Sequence, residues 1–520
     1  MTATTCRADR PMSRARASLV FVLSLLVLTG CRPGGEPESR ENSTRNLLIV
    51  LDGLRPDYVV PHLMPTLYML GQRGVVMNRH HAVFPTVTRV NASSISTGAY
   101  PETHGLLGNS VFFPVVDASR FLNTGDRANL LKVETEEPSG LLSTVTLGEA
   151  LQSAGQRLLV ASAGSSGSSY LLNHSLAGGA IFHYDYSLPE GLHSEAIERL
   201  GPVPEANTPN HARNRWVVDA FLEFLLPSID PPVTVMWLSD PDTTAHQHGV
   251  GHPLTGEALF RLDAEIDRIQ AGLEAAGLLE RTNIWVTSDH GFSQHTGMAD
   301  LNTVLAPFRT MLEDGTPRIV AGPGAIYVND SDPSTVEDIV AALQETEGIG
   351  AVFTRAEELG SVEGAVPGTL SFDVARWDHD RSAQILYSAD WTDDVGDYGF
   401  AGMSAQGGVA GHGSSSPFDI HNALVAVGPD LKAGATIDVP TGNVDFAPTF
   451  LHLLGLEIPS SMSGRVMLEA LHDEPADEGR VVETSEVVVA TDDGRYSLTA
   501  TFSTVGGNTY LDYTTVERAN

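Results

Sequence analysis

Asn46 is followed by five apolar residues in a row, Leu47-Leu48-Ile49-Val50-Leu51, and the run stops at Asp52. A continuous apolar run of strand length fits a parallel strand buried on both faces, because neither of its two alternating rows of side chains meets water. Two later runs repeat the design. Val233 to Leu238 leads to Asp240 and Asp242, and Ile284-Trp285-Val286-Thr287 leads to Ser288-Asp289-His290. Between these two runs, Leu259, Leu262, Ile266, Ile269 and Leu273 recur at a spacing that puts them on one helical face. Alternating strands and helices predict an α/β fold with a mostly parallel central sheet flanked by helices. In such sheets ligands bind outside the carboxyl ends of the strands, so three acid-tipped strands predict one common site.

The rhythm changes over residues 301–400, where strand-like Ala325 to Val328, a helix from Val336 to Leu343 and strand-like Gln384 to Tyr387 predict an inserted α+β subdomain. The main sheet resumes at Ala423-Leu424-Val425-Ala426-Val427, followed by a helix through Phe446, Phe450 and Leu453. Alternation around Val481 to Val489 and Tyr496 to Thr501 predicts a small antiparallel appendage at the C-terminal end. The predicted organisation is therefore a catalytic core in two parts, 46–300 and 401–475, with an insertion at 301–400 and an extension at 476–520.

Upstream of the core, Arg14 and Arg16 precede an apolar run from Leu19 to Leu28 that ends at Thr29-Gly30-Cys31. This is the charge-then-apolar layout of a signal peptide, here over residues 1–30, and the run is short for a membrane span. Its end resembles the lipobox of bacterial lipoproteins, which implies acylation at Cys31. Residues 31–45, rich in Pro, Gly, Glu and Ser, then read as a flexible tether. The expectation is an exported protein held by lipid in a bacterial cell envelope, facing the periplasm or in the outer membrane.

Composition narrows the function. The formal charge of −34, from 65 acidic and 31 basic residues among 520, repels duplex nucleic acid and anionic lipid. Cys6 and Cys31 are the only cysteines, so once residues 1–30 are removed no internal disulfide can form. Small phosphorylated substrates remain compatible with this charge if cations sit in the site.

Histidine and aspartate are dense at Asp242-Thr-Thr-Ala-His246, at Asp289-His290 and at Gly411-His412-Gly413. Nitrogen and oxygen donors of this kind suit zinc or a similar first-row ion, and an Asp with a His four residues later can chelate from one helical turn. A lone Asp-His pair is more often a loop feature than a ligand pair; their joint placement after apolar strands is what gives the set weight.

The chain resembles the nucleotide pyrophosphatase/phosphodiesterase branch of the alkaline phosphatase superfamily. The resemblance runs from Leu51-Asp52-Gly53-Leu54-Arg55-Pro56-Asp57 through Phe84-Pro85-Thr86-Val87-Thr88, Ser96 to Gly105 and Asn109 to the three Asp/His stretches above. It implies an alkaline-phosphatase-like fold and two divalent metal ions, zinc by donor type. One ion is then held by Asp242, His246 and His412, the other by Asp52, Asp289 and His290. It also implies that Thr88 is the nucleophile, forming a phosphothreonine intermediate, and that Asn109 donates a hydrogen bond to a phosphoryl oxygen. The chemistry agrees, since a threonine hydroxyl is a poor nucleophile at neutral pH unless a cation activates it. Thr88 also reads as a capping hydroxyl for the helix running into Ser93-Ser94-Ile95, and Thr86 is the rival nucleophile. His248, His252 and His295 are expected around the site or on the surface.

Two departures bear on the substrate. Where the family often has an aromatic residue after the nucleophile, this chain has Arg89; Trp237 stands where another aromatic of the nucleotide pocket is common, and is read either as a stacking face or as core. Phosphomonoesterase relatives add a Lys and an Arg for the extra phosphate charge, but the stretch Ala161 to Tyr170 has no basic residue, which favours diesters. Sulfatases need a modified Cys or Ser and are disfavoured. A phosphomonoesterase, or a phosphonoacetate hydrolase with Arg89 on the substrate carboxylate, are the alternative enzymes, and a non-catalytic binding protein is the alternative outside enzymes.

Overall fold

The computed structural model describes residues 44–176, 179–358, 360–472, 474 and 480–519. Cys31, the leader at 1–30 and nearly all of the tether at 31–45 lie outside the described residues. Among the described residues no helix is long and apolar enough to cross a membrane.

Nine strands make the central sheet: β1 (Arg45–Leu51), β2 (Val75–Met77), β3 (Leu158–Ser162), β4 (Ala180–His183), β5 (Tyr186–Leu188), β6 (Val233–Leu238), β7 (Thr282–Thr287), β8 (Leu424–Val427) and β9 (Ala435–Ile437). Their spatial order is β9-β2-β8-β7-β1-β6-β3-β4-β5. The centre is parallel, with β1 pairing β6 on one side and β7 on the other, while β8 runs antiparallel to both β7 and β2. The apolar run of β1 is explained by its position: Leu48 and Val50 enter one apolar cluster, and Leu47, Ile49 and Leu51 enter another on the opposite face. Burial on both sides leaves no place for a polar residue until the strand ends at Asp52.

Helices cover both faces. Pro253–Ala275 lays Leu259, Leu262, Ile266, Ile269 and Leu273 on one face of the sheet, and Phe446–Leu453 brings Phe446 and Phe450 to the other. A separate five-stranded sheet, Ile319–Gly322, Ala325–Val328, Ile385–Ala389, Ile349–Thr354 and Leu370–Ser371 in spatial order, carries the helix Pro333–Gln344 over its own apolar cluster. At the C-terminal end Val482–Ala490, Tyr496–Val505 and Asn508–Arg518 form an antiparallel meander. Its Asp512 accepts hydrogen bonds from His81 Nε2 at 2.8 Å and Ser503 Oγ at 2.6 Å, with an Arg79 Nη2 at 3.7 Å. That network joins the meander to the core. His421 completes with His81 and Asp512 a cluster of metal-ligating type distinct from the Asp/His stretches read from the sequence.

Candidate active site

Three neighbouring strand ends build the site. Asp52 follows β1, Asp242 opens the short helix Asp242–His248 after β6, and Asp289-His290 follow β7. Backbone bonds lock the turns together: Asp52 N–H donates to Leu238 O at 3.0 Å, and Asp242 N–H to Asp52 O at 2.9 Å. Gly53 is needed between them. It sits at φ +75°, and a Cβ there would lie 3.0 Å from the Phe292 ring and 3.2 Å from Asp242 Cβ. Its N–H donates to Asp289 Oδ1 at 3.2 Å.

Around these turns the Asp and His side chains converge. His290 Nε2 lies 3.1 Å from Asp289 Oδ2 and 3.5 Å from Asp52 Oδ1. Asp242 Oδ1 lies 3.1 Å from His246 Nε2 and 3.4 Å from His412 Nε2. The rings of His290 and His412 stack at 3.5 Å, so the two groups share an edge. His412 comes from the loop after the two-residue strand Ala410–Gly411, more than 120 residues beyond His290.

The tautomers are fixed by backbone carbonyls, which can only accept. His246 Nδ1 faces Ala410 O at 2.9 Å, His290 Nδ1 faces Gly291 O at 2.9 Å and His412 Nδ1 faces Thr86 O at 2.8 Å. Each Nδ1 therefore carries the proton, and each Nε2 presents its lone pair inward, as a metal-binding histidine must. Opposite them, Asp52 Oδ1, Asp242 Oδ1 and Asp289 Oδ2 are buried with no hydrogen-bond partner. A buried carboxylate oxygen without a donor is costly, and three such oxygens facing three imidazole lone pairs make a set of electron-pair donors suited to an electrophile. The residues fit divalent cations.

The electrostatics say the same. Burial, then the charges of Asp289 and Asp242, push the Asp52 carboxyl well above its usual range; the Trp237 hydrogen bond and the Arg89 charge oppose the rise. Burial disfavours a charged ring at His290, yet Asp289 foremost raises its affinity for a proton. His412 is held well below the usual histidine range by burial and by the adjacent His290. An excess of negative charge that draws a proton to one ring draws a metal cation more strongly.

Thr88 is the first residue of the helix Thr88–Thr97, and the N-cap position falls on Val87, which makes no side-chain cap bond. Its Oγ1 lies 3.3 Å from His290 Nε2, beside the carboxylates. The rival hydroxyl of Thr86 is already committed, donating to Ser414 O at 2.7 Å and accepting from Gly413 N–H at 3.1 Å. Asn109 Oδ1 accepts the Arg89 backbone N–H at 3.0 Å, which places its amide against the helix start and leaves the NH2 for another acceptor. The Arg89 guanidinium is pulled below its ordinary value by burial, and Asp52, Asp242 and Asp289 are near enough to oppose that fall. It lies over Gly125, where a Cβ would come within 2.9 Å of Nη2, and Gly125 O accepts the Gly167 N–H at 2.9 Å, which puts the uncharged stretch Ala161 to Tyr170 on that side.

Trp237 is fully buried, at 0% exposure, and its Nε1 donates to Asp52 Oδ2 at 2.9 Å. A ring with no exposed face cannot receive a stacked base, so the structure gives it the core alternative and makes it a positioning residue for Asp52. His248 stacks on His252, while His295 Nδ1 donates to Gly407 O at 2.8 Å, its buried Nε2 has no hydrogen-bond partner, and its ring and that of His246 both flank Gly411. Sequence reasoning missed Ser288, whose hydroxyl accepts the Leu54 N–H at 2.8 Å and donates to His290 O at 2.8 Å, and Asn443, which donates to Asp289 O at 2.9 Å. Ser288 adjoins the Asp289-His290 pair and was open to notice; Asn443 follows a strand of two residues and gave no signal.

The profile of the family described as type I phosphodiesterase / nucleotide pyrophosphatase matches residues 46–397. The chain is 28% identical over 258 residues to ectonucleotide pyrophosphatase/phosphodiesterase family member 1 of Rattus norvegicus, covering 48% of this chain but only 24% of that relative. It is 25% identical over 460 residues to the bis(5'-adenosyl)-triphosphatase enpp4 of Mus musculus, covering 84% of each. In fold it superposes on a variant of the alkaline phosphatase PafA with a TM-score of 0.62 at 16% identity, covering 83% of this chain and 99% of that one. With a family profile spanning about two thirds of its length, the chain belongs to the type I phosphodiesterase / nucleotide pyrophosphatase family.

Proposed function

We propose that the chain is a metal-dependent phosphodiesterase/pyrophosphatase that hydrolyses small phosphate diesters, nucleotides among them, through a phosphothreonine at Thr88. The observation that carries the reading is the placement of Thr88 Oγ1 3.3 Å from His290 Nε2, a nitrogen that lies 3.1 Å from Asp289 Oδ2 and 3.5 Å from Asp52 Oδ1, two buried oxygens with no hydrogen-bond donor. In this reading Asp52, Asp289 and His290 hold one divalent ion and Asp242, His246 and His412 a second, with zinc suited to the donors. Such ions, when bound, supply Lewis-acid stabilisation of phosphoryl charge and lower the pKa of a neighbouring hydroxyl.

The chain's own groups do the rest. Thr88 Oγ1 attacks phosphorus in line while the ester oxygen departs on the far side; water then cleaves the phosphothreonine and restores the hydroxyl. The N-terminus of a ten-residue helix directs backbone N–H groups and its positive dipole end toward the phosphate. The Asn109 NH2 donates to a non-bridging oxygen, an oxyanion-hole role. Arg89 supplies the cation on the side of the uncharged stretch Ala161 to Tyr170. One cation is fewer than the Lys and Arg that a dianionic monoester requires, which favours diesters.

The test is a side-by-side rate comparison of bis-p-nitrophenyl phosphate and a nucleotide p-nitrophenyl ester with p-nitrophenyl phosphate. Faster cleavage of the diesters supports the proposal; faster cleavage of the monoester moves the chain to the phosphomonoesterase alternative. The partition of the chain, with an insertion at 301–400 between core segments 46–300 and 401–475 and an extension at 476–520, is part of the same proposal, as are the signal peptide at 1–30 and lipid attachment at Cys31. Radiolabelled palmitate incorporated by the full chain and lost in Cys31→Ala is the expected result for the anchor.

A further inference from the structure

Beside the Asp/His cluster lies a cavity of about 220 Å³ whose lining includes Asn109, His412 and Gly413 of the site. Much of the remaining wall comes from the five-stranded sheet and the segment that leads into it. Tyr327, Leu386 and Tyr387 face it from the strands, Met298 and Leu301 from the preceding segment, and Phe121 from the core. The Phe121 ring packs on this sheet, where a Cβ on Gly322 would meet it at 2.7 Å, and it contacts Tyr327 with ring centres 5.6 Å apart. The hydroxyls of Tyr327 and Tyr387 are already donated to Arg381 O and Gly322 O at 2.7 and 3.0 Å, so neither phenol needs a ligand as its partner. Although 18% of the chain is charged, no Asp, Glu, Lys or Arg lines the cavity. Met298 stands 62% exposed among the lining residues, an apolar side chain left in water.

Resting on the phosphodiester reading above, the geometry points to this cavity as the subsite for one ester substituent of the substrate, and to that substituent as an uncharged alkyl or aryl group. A phosphorus placed against Thr88 has Asn109 and His412 as neighbours, and both also line the cavity, so one arm of a diester extends into it. A pyrophosphate-linked arm would bring further phosphate oxygens into a wall without a cation, a desolvation with no compensation. An apolar arm gains by burial and loses nothing. The substrate class assigned is therefore a phosphodiester with one apolar alcohol, in preference to a pyrophosphate-linked nucleotide.

The experiment uses the full chain with zinc and titrates dimethyl phosphate, di-n-butyl phosphate and AMP by calorimetry, with hydrolysis of methyl p-nitrophenyl phosphate followed in parallel. Ala405→Trp narrows the cavity from a half-buried wall position, and Met298→Glu places a charge among the exposed lining; neither residue belongs to the catalytic set. Di-n-butyl phosphate should bind on the order of fiftyfold more tightly than dimethyl phosphate, the factor for burying three methylenes. Each variant should remove most of that gain while leaving dimethyl phosphate binding within about twofold. Equal binding of the two dialkyl phosphates, or a variant that weakens AMP as much as di-n-butyl phosphate, overturns the assignment. A chain-length dependence seen without any diester turnover instead sinks the functional reading, so the two failures are told apart.

Discussion

The two halves of the Asp/His cluster are built differently. Asp52, Asp289 and His290 sit at the ends of adjacent parallel strands, with side-chain exposures of 8%, 0% and 0%, and Trp237 fastens Asp52 from the core. Asp242, His246 and His412 come from a seven-residue helix and a loop, and the His246 side chain is 43% exposed. A strand end is held by the whole sheet, whereas the loop half is held by a few bonds through Thr86, Gly413 and Ala410. Under the proposed two-ion reading, the inner half should be rigid and exchange its ion slowly, and the outer half should be the adjustable side.

The largest expected effect concerns the hydroxyl that touches the inner half. Thr88→Ala should lower kcat for a diester by about three orders of magnitude or more while leaving metal content unchanged, because in the proposed mechanism Thr88 attacks and does not anchor. Activity retained in that variant would move the nucleophile elsewhere. Next, Trp237→Phe removes the donor to Asp52 without touching the outer half. Loss of such a hydrogen bond to a ligand typically costs 10- to 100-fold in metal affinity or activity. Stopped-flow transfer of metal to a chelator should show only the slower phase accelerated; acceleration of the faster phase would break the inner and outer distinction.

A smaller effect belongs to two buried histidines away from the ligands. His80 and His104 are both held near 3 by burial, against an ordinary value of 6.5. Their folded forms refuse a proton that the unfolded chain accepts, so stability is full above about pH 6.5 and falls as pH drops from there toward 3. At pH 5 each costs on the order of 2 kcal/mol. Thermal melts of His104→Asn against the parent should show a shallower loss of Tm between pH 7 and 5; parallel curves would contradict it. The smallest effect is at Thr86. Thr86→Val removes the bonds to Ser414 O and Gly413 N–H, and should loosen His412 and cost activity about tenfold with the inner ion retained.

Much of this was legible in the chain, for identifiable reasons. Parallel strands buried on both faces write themselves as unbroken apolar runs, so β1, β6 and β7, and the acids after them, stand out. Short strands do not: β2 and β9 have three residues each, and the pairing of β2 with β8 and with β9 depends on distant partners. His412 follows a strand of two residues, so no periodicity marked it; the stretch Gly411-His412-Gly413 stood out by residue type, and the resemblance gave it a ligand role. Trp237 shows what a run leaves open. Every residue of β6 is apolar or buried, and only the register, Trp237 beside Val50 and Ser162, decides that its ring enters the core while its Nε1 meets Asp52. Arg89 was visible as a departure, but its position over Gly125 needed the tertiary fold.

Metal analysis of the purified chain and its Thr88→Ala variant, each assayed on bis-p-nitrophenyl phosphate, tests the central claim most directly. The account predicts about two divalent ions per chain in both proteins and turnover in the parent alone. A parent that cleaves the diester with no bound metal, or a metal-loaded variant as active as the parent, would contradict it.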